Sequence, residues 1–184
     1  MKLDSVNIDS TLFSVTDVFP ATIVDQLNSL NWLELPRRCD DVIHRSIISL
    51  PRSIDDEIRQ HTADVVLPTV EQTKNIRFDR INDFSLTVWL NHPGYLSGVH
   101  VDGEIPATMQ IFWEPAEHTG WGINFCKSRH INNVLHYFPS TPNSGYVALA
   151  KIAQQPLWHG TANVVPHNVL RISLMFVFNN YTVL

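Results

Sequence analysis

This chain of 184 residues has only two cysteines, no long apolar run and no excess of positive charge. The two cysteines, Cys39 and Cys126, have neither a metal-ligand spacing nor a pairing pattern, which predicts free thiols in a reducing compartment and argues against a disulfide framework. No apolar stretch reaches the roughly 18 residues that a membrane-spanning helix needs. The N-terminal segment carries acidic residues early and no apolar core, unlike a signal peptide. We therefore expect a soluble, cytoplasmic protein without a membrane partner.

The charge balance and the size limit the partners and the number of domains. The formal net charge is -5 and the pI is about 5.9, which argues against a broad phosphate-binding face and predicts no nucleic-acid partner. A hydrophobic share of 44% can fill one sizeable core. We predict a single domain over residues 1–184, with helical support over about 1–75 and a core of strands over about 76–184. The sequence does not predict an oligomeric state.

Two stretches of the first third have apolar residues at helical intervals. The first opens at Asp17 or Pro20, and its apolar positions are Ile23, Val24, Leu27 and Leu30. The second is predicted to begin with Ser53 as its N-cap and to run to Val66, ending before Pro68.

After residue 75 the hydrophobic period changes to two, which is typical of strands. The β-branched or aromatic runs lie at 84–90, 109–113, 145–149 and 171–178, with a shorter one at 12–15. Proline, glycine and asparagine clusters separate them. Helices followed by many short strands predict an α+β, mainly β protein, with helices packed on one face of a β-sandwich or jelly roll.

The last strand carries a costly residue. Its alternate positions from Leu170 to Phe178 are apolar, whereas Arg171 and Ser173 share the opposite face with Met175. An arginine in so apolar a strand is expensive to bury unless an anion pairs with it. A carboxylate bound by both arms of the guanidinium would be such a partner.

A short motif in the strand-rich half suggests metal ligands. His100 and Asp102 are two residues apart, so on a strand both side chains leave the same face. Chance alone gives about 0.6 His-x-Asp pairs in a chain of this composition, so the motif by itself also fits a hydrogen-bonded surface pair. Two histidines and one carboxylate form the facial ligand set of non-haem Fe(II) oxygenases, which leaves coordination positions open.

Two histidines near the carboxyl end compete for the third ligand position. His159 follows an apolar run and precedes Arg171 by 171 − 159 = 12 residues, about the length of a strand end, a turn and a return strand. His167 lies between Pro166 and Asn168, which favour a turn. We therefore predict His159 as the ligand.

The order of these motifs resembles that of a known family. The chain reads Pro93-Gly94, His100-x-Asp102, Trp121-Gly122, Pro142-Asn143-Ser144-Gly145, Trp158-His159-Gly160 and Arg171-x-Ser173. This order is similar to that of the Fe(II)- and 2-oxoglutarate-dependent dioxygenases, specifically the prolyl-4-hydroxylase-like branch, over roughly residues 84–178. The strand-then-helix opening from Phe13 to Leu30 is similar in a less specific way.

The resemblance implies a double-stranded β-helix, a jelly roll whose inner face holds iron. His100, Asp102 and His159 would be the iron ligands, and Arg171 with Ser173 would bind the distal carboxylate of 2-oxoglutarate. Dioxygen would be the third reactant, with ascorbate as an optional reductant. The implied reaction hydroxylates a small-molecule or peptide substrate and releases succinate and CO2. Because position 102 is aspartate, no ligand site is freed for halide, which favours hydroxylation over halogenation.

Some assignments stay open. Asn91 stands where many relatives carry a tyrosine, so Asn91, Tyr95 and Gln110 are all candidates for a co-substrate contact. In the nucleic-acid demethylases a second arginine follows the first along the chain. No such arginine follows Arg171, which again predicts no nucleic-acid partner. A cupin-like metal-binding jelly roll acting without 2-oxoglutarate is a second hypothesis, and it leaves Arg171 unexplained. A non-catalytic binding module is a third.

Overall fold

The strands in the second half of the chain are rich in β-branched and aromatic residues. The computed structural model describes residues 1–6, 11–41, 44–79, 84–114, 121–167 and 169–184. Its strands are β1 (Lys2–Ser5), β2 (Leu12–Thr16), β3 (Arg37–Asp41), β4 (Arg45–Ile48), β5 (Ile76–Phe78), β6 (Phe84–Asn91), β7 (Ala107–Glu114), β8 (Ile123–Cys126), β9 (Val134–Phe138), β10 (Ser144–Ala148), β11 (Trp158–Thr161), β12 (Arg171–Phe178) and β13 (Tyr181–Val183). Its helices are α1 (Ala21–Asn28), α2 (Arg52–His61) and α3 (Leu67–Lys74), with a π-helical turn at Thr62–Val66 and a 3-10 turn at Ala150–Ile152.

A large antiparallel sheet forms the base of the fold. Its strand order is β1-β2-β10-β7-β12-β6-β4-β3, so β12 lies between β6 and β7 and pairs with both along its length. Strands that are far apart in sequence are therefore neighbours. The predicted strands at 84–90, 109–113 and 171–178 are confirmed.

A smaller sheet faces the first and closes the jelly roll. Its strand order is β11-β8-β9, and a single antiparallel bridge between His100 and His159 adds one more segment beside β11. Aromatic and aliphatic residues of both sheets meet between them, including Phe112, Phe125 and Tyr146. The two sheets form a double-stranded β-helix, as predicted.

The helices cover the outer face of the large sheet. Ile23, Leu27, Ile58 and Val70 are buried and belong to the same apolar cluster as alternate residues of β6 and β12. These alternate residues are Leu86, Val88, Leu90, Ile172, Leu174, Phe176 and Phe178. Since neighbouring positions on a strand point to opposite faces, Arg171 and Ser173 lie on the inner face, between the sheets. The predicted packing of helices on one face is confirmed.

The second helix differs from its prediction at both ends. Pro51 flanks its start and accepts backbone hydrogen bonds from Ile54 and Asp55, so Ser53 is not the N-cap. At the other end the helix continues through Pro68 to Lys74. A proline ring normally clashes with the carbonyl one turn back. Here the wider π-helical turn ends at Val66, two residues before Pro68, which then lies in the first turn of α3, where its missing N–H is not needed.

Three further observations bear on the sequence analysis. The first 75 residues contribute β1 to β4 to the large sheet as well as the helices. Among the described residues, no helix is both long enough and apolar enough to cross a membrane. Cys126 is a buried free thiol, whereas the side chain of Cys39 lies outside the part of the chain that the structure describes.

Candidate metal and co-substrate site

Strand pairing brings the three predicted ligands together. The backbone N–H groups of His100 and His159 each donate to the carbonyl of the other, both at 2.8 Å. Directly opposed residues of an antiparallel pair point their side chains to the same face. Asp102 lies two residues beyond His100, on the same side of the chain. The three ligand atoms lie within 4.8 Å of one another.

The two imidazole rings present the same nitrogen to the carboxylate. Oδ1 of Asp102 lies 3.6 Å from Nε2 of His100 and 3.4 Å from Nε2 of His159. The other ring nitrogen, Nδ1, lies 2.8 Å from the carbonyl oxygen of Gly98 in His100 and 3.0 Å from that of Leu157 in His159. A carbonyl can only accept, so each Nδ1 carries the proton. In a neutral ring this tautomer keeps the Nε2 lone pair, which can bind a metal ion. Without a metal, only a ring that also carries a proton on Nε2 can donate to Asp102.

Hydrogen bonds within the triad shift the pKa values of Asp102 and His100. Burial acts to raise the pKa of Asp102, but hydrogen bonds to both rings outweigh it and hold this pKa well below its ordinary range. The hydrogen bond to Asp102 raises the pKa of His100, against the opposing effect of burial. Asp102 is therefore a carboxylate at neutral pH, as a metal ligand must be.

One side of this triad is rigidly packed and the other is open. The side chain of His159 is only 9% exposed and stacks on Phe125, with ring centroids 5.2 Å apart. The side chain of His100 is 47% exposed. A side chain after His159 would be crowded, because a Cβ at Gly160 would lie 3.0 Å from the carbonyl oxygen of Ser97. Gly160 thus allows the segment that carries His100 to lie close to β11.

Arg171, the predicted anion-binding residue, is buried, and two of its guanidinium nitrogens have no hydrogen-bond partner among the described residues. Arg171 is 1% exposed, and its Nε and one terminal nitrogen have no hydrogen-bond partner among the described residues. Burial lowers the pKa of this guanidinium to about 10. A buried cation with unsatisfied donors calls for an anion.

A hydrogen-bonded row of side chains lies next to Arg171. Tyr146 donates to Oε1 of Gln110 at 2.9 Å, and Nε2 of Gln110 donates to Oγ of Ser173 at 2.9 Å. Burial raises the pKa of Tyr146 far above its ordinary value, so it stays a neutral donor. The hydroxyl proton of Ser173 stays available to an anion. Tyr146 was not predicted as a site residue, because its contact with Gln110 depends on the pairing of β10 with β7.

A second arginine, which the sequence analysis missed, faces the same space. Arg45 in β4 and Arg171 in β12 both lie opposite Asn91, on either side of β6. The guanidinium carbon of Arg45 lies 3.3 Å from the ring centroid of Trp89. Oδ1 of Asn91 is buried and unpaired within the described residues. Two positive charges therefore flank this part of the inner face.

A single cavity connects the triad to both arginines. It has a volume of about 190 Å³, and its lining includes His100, Asp102 and His159 together with Arg45 and Arg171. Tyr95 and Gln110 also line it, so two of the three open candidates reach this space. Asn91 lies beside it, opposite Arg171. His167 is exposed, in a turn, and does not take part in the triad.

Comparison with known proteins identifies the fold. No family model matches the sequence, and no curated protein matches it. A solved oxidoreductase of the 2OG-Fe(II) oxygenase family from Burkholderia pseudomallei is similar in structure, with a TM-score of 0.63 at 11% identity over 95% of this chain and 85% of that one. A Pseudomonas putida prolyl-4-hydroxylase has a TM-score of 0.55 at 14% identity over 92% of both chains. OsALKBH1 has a TM-score of 0.59 at 8% identity, and the match covers 96% of this chain and 100% of the OsALKBH1 chain. The chain therefore has the double-stranded β-helix fold of the Fe(II)- and 2-oxoglutarate-dependent oxygenases, prolyl-4-hydroxylases included.

Proposed function

We propose that this protein is an Fe(II)- and 2-oxoglutarate-dependent dioxygenase that hydroxylates a small molecule or a peptidyl residue. One observation carries the proposal: a His-Asp-His triad and a buried arginine with unpaired donors line the same cavity. The fold supports it, since the similar solved structures include a 2OG-Fe(II) oxygenase and a prolyl-4-hydroxylase.

The donor set fits the metal. His100, Asp102 and His159 would hold Fe(II) through two neutral imidazole nitrogens and one carboxylate oxygen, all from one side, which leaves positions for other ligands. Bound iron would supply the activation of dioxygen, coupled to conversion of 2-oxoglutarate to succinate and CO2 and to insertion of one oxygen atom into a C–H bond. Asp102 keeps its carboxylate as a ligand, which favours hydroxylation over halogenation.

The cavity fits the co-substrate. Arg171 would bind the distal carboxylate of 2-oxoglutarate with both arms of its guanidinium, and the hydroxyl of Ser173 would donate to the same group. Gln110 holds Ser173 in place by the hydrogen bond between them. A cupin-like oxygenase without a co-substrate would leave this buried cation without an anion, so the arginine favours the 2-oxoglutarate enzyme.

The remaining parts of the proposal concern partners and location. We propose a substrate other than nucleic acid, because the net charge of -5 does not favour a phosphate-binding face; the fold alone does not decide this, since OsALKBH1 shares it. A cytoplasmic location, a single domain over residues 1–184 and an optional role for ascorbate stay predictions of the sequence analysis.

The test separates ligand histidines from a neighbouring histidine. Purified protein loaded anaerobically is expected to bind one equivalent of Fe(II) and to form a weak visible band when 2-oxoglutarate is added. His159→Ala and the double variant His100→Ala with Asp102→Ala should lose both signals. His167→Ala is the matched control and should keep both, because this side chain is exposed in a turn. Full iron binding by the triad variants would refute the proposed function.

A further inference from the structure

A second and larger cavity lies on the other side of the triad. Its volume is about 400 Å³, against about 190 Å³ for the cavity with the arginines. Asp102 and His159 line both cavities, so the same two side chains separate them. Both cavities therefore border the side chains that would hold the metal.

Size assigns the two cavities to different molecules. Cavities for organic ligands usually measure about 300–1,000 Å³. The space next to Arg171, at about 190 Å³, is below that range, so it can hold at most one compact molecule such as the proposed co-substrate. The larger cavity is within the usual range, at its lower end. It has room for one small molecule or one side chain beside the metal position.

The larger cavity has few groups that could pair with a charge. Its lining is mostly apolar, with Ile105, Leu157 and Phe125 beside three alanines, at 148, 150 and 153. The ionisable side chains among its described lining residues are Asp102 and His159, and both belong to the triad. A carboxylate or phosphate placed there would lose its hydration and find no lysine or arginine among the described lining residues. An ammonium group would find only the carboxylate of Asp102, which the proposed metal would already occupy, so each of these ions would be costly to bury.

The mouth of this cavity is polar but neutral. Gln154 and Gln155 line it and are exposed to solvent. Each carries an amide, which donates and accepts hydrogen bonds. A neutral polar group of a ligand, such as an amide or a hydroxyl, has partners there, whereas the described residues at the mouth offer an ionic group no opposite charge.

We infer that the reacting group of the substrate occupies this larger cavity and is uncharged, an aliphatic chain or ring without a carboxylate, phosphate or ammonium group inside the cavity. The inference rests on the proposed function and narrows its substrate class. Free amino acids, sugar nucleotides and other phosphorylated metabolites are poor candidates if their charged ends must enter. Neutral metabolites and uncharged groups carried on a larger molecule fit.

Three small probes with the same branched chain and different charge test the inference. Isovaleramide, isovalerate and isoamylammonium are titrated calorimetrically, without oxygen, into protein loaded with Fe(II) and 2-oxoglutarate. The neutral amide is expected to bind at least about tenfold more tightly than either ion, because only the ions lose uncompensated hydration. Equal or tighter binding of an ion overturns the inference, and so does the absence of amide binding at millimolar concentration.

Two variants check that the probe lies in this cavity. Ala153→Phe fills the space beside Leu157 and should abolish amide binding; Ala21→Phe, at the exposed start of α1, is the control and should leave it unchanged. Gln154→Arg adds a cation at the mouth and should raise the affinity for isovalerate, whereas Gln72→Arg, on the exposed side of α3, should not. Amide binding that survives Ala153→Phe contradicts the assignment of the cavity.

The failure of this inference can be told apart from failure of the proposed function. Iron and 2-oxoglutarate binding are measured first, on the unmodified protein. If neither binds, the proposed function is wrong. If both bind and the probes rank by charge in the opposite order, the function stands and the neutral-substrate inference is wrong.

Discussion

At the scale of single residues, the buried side chain of Arg171 indicates where an anion binds. It is a buried cation with two unpaired nitrogens, and we expect Arg171→Leu to remove the anion site. The loss of a two-armed charged hydrogen bond is worth about 1.5–3 kcal/mol, or roughly 10- to 150-fold in the dissociation constant of 2-oxoglutarate. Arg171→Lys keeps the charge but loses the fork, so its loss should be smaller. Calorimetric titration of the iron-loaded protein measures both; an unchanged constant in the leucine variant would mean that the anion binds elsewhere.

Arg45 is expected to support the same anion from the other side of β6. Its side chain lines the cavity, so Arg45→Gln should weaken 2-oxoglutarate binding by about three- to tenfold. This loss is smaller than the one expected at Arg171, because solvent screens the partly exposed charge of Arg45. Arg77→Gln, an exposed arginine on β5, is the control for the change in net charge. Equal effects of the two variants would show that Arg45 acts only through net charge.

The protonation of His100 predicts how iron binding depends on pH. In the metal-free protein the hydrogen bond to Asp102 raises the pKa of His100 above its ordinary value of 6.5. A folded-state pKa above the unfolded one stabilises the metal-free fold in acid, and this contribution is lost as pH rises through the folded pKa. Iron needs the deprotonated ring, so its affinity should fall as pH drops through that pKa. Titration of the His100 imidazole by NMR checks the shift, and Asp102→Asn should lower the pKa; a titration at or below 6.5 in the unmodified protein would contradict it.

At the scale of elements, close backbone contacts restrict the central strands. A Cβ at Gly145 in β10 would lie 1.8 Å from the carbonyl oxygen of Gln110, a backbone atom of β7. Gly145→Ala must push two central strands apart and is expected to cost about 3 kcal/mol of unfolding free energy. Gly98→Ala is the control, since nothing lies within 4 Å of the added methyl group. Urea unfolding compares the two, and similar midpoints would show that β10 can shift at little cost.

The strands and the triad could be predicted because their signals are local. The alternation of β12 shows which side chains face inward, and the spacing of His100 and Asp102 places both on one side of the chain. The cost of burying Arg171 pointed to an anion before any pairing was known. The turn at Asn143 also has a local signal, since its φ of 55° is a conformation that asparagine tolerates, whereas the hydrogen bonds of its side chain to the backbone of Phe19 join segments 124 residues apart.

The remainder depends on contacts between distant segments. Arg45 lies in a four-residue strand too short to show a period, and its place beside Trp89 follows from the pairing of β4 with β6. Tyr146 reaches Gln110 only through the register of two strands. The helix continues through Pro68 because a π-helical turn precedes it, and helix-end rules based on proline do not anticipate such a turn.

At the scale of the whole molecule, the triad lies where the two sheets of the jelly roll come together. The large sheet supplies the arginines and the hydrogen-bonded row that holds Ser173, and the small sheet supplies His159. The apolar cluster under the helices buries the outer face of the large sheet. The polar groups of the site are therefore confined to the space between the sheets, with solvent access near the exposed ring of His100.

The bridge between His100 and His159 determines how a bound metal would stabilise the folded chain. These residues are 159 − 100 = 59 positions apart, and two backbone hydrogen bonds join them directly. A metal ion held by both rings and by Asp102 would act as a reversible cross-link that closes this long loop, and it would favour the folded chain over the unfolded one. The edge of the small sheet would then open less often when iron is present. Amide hydrogen exchange around residues 97–102 would slow on metal loading, and the free energy of unfolding would rise with the concentration of free iron.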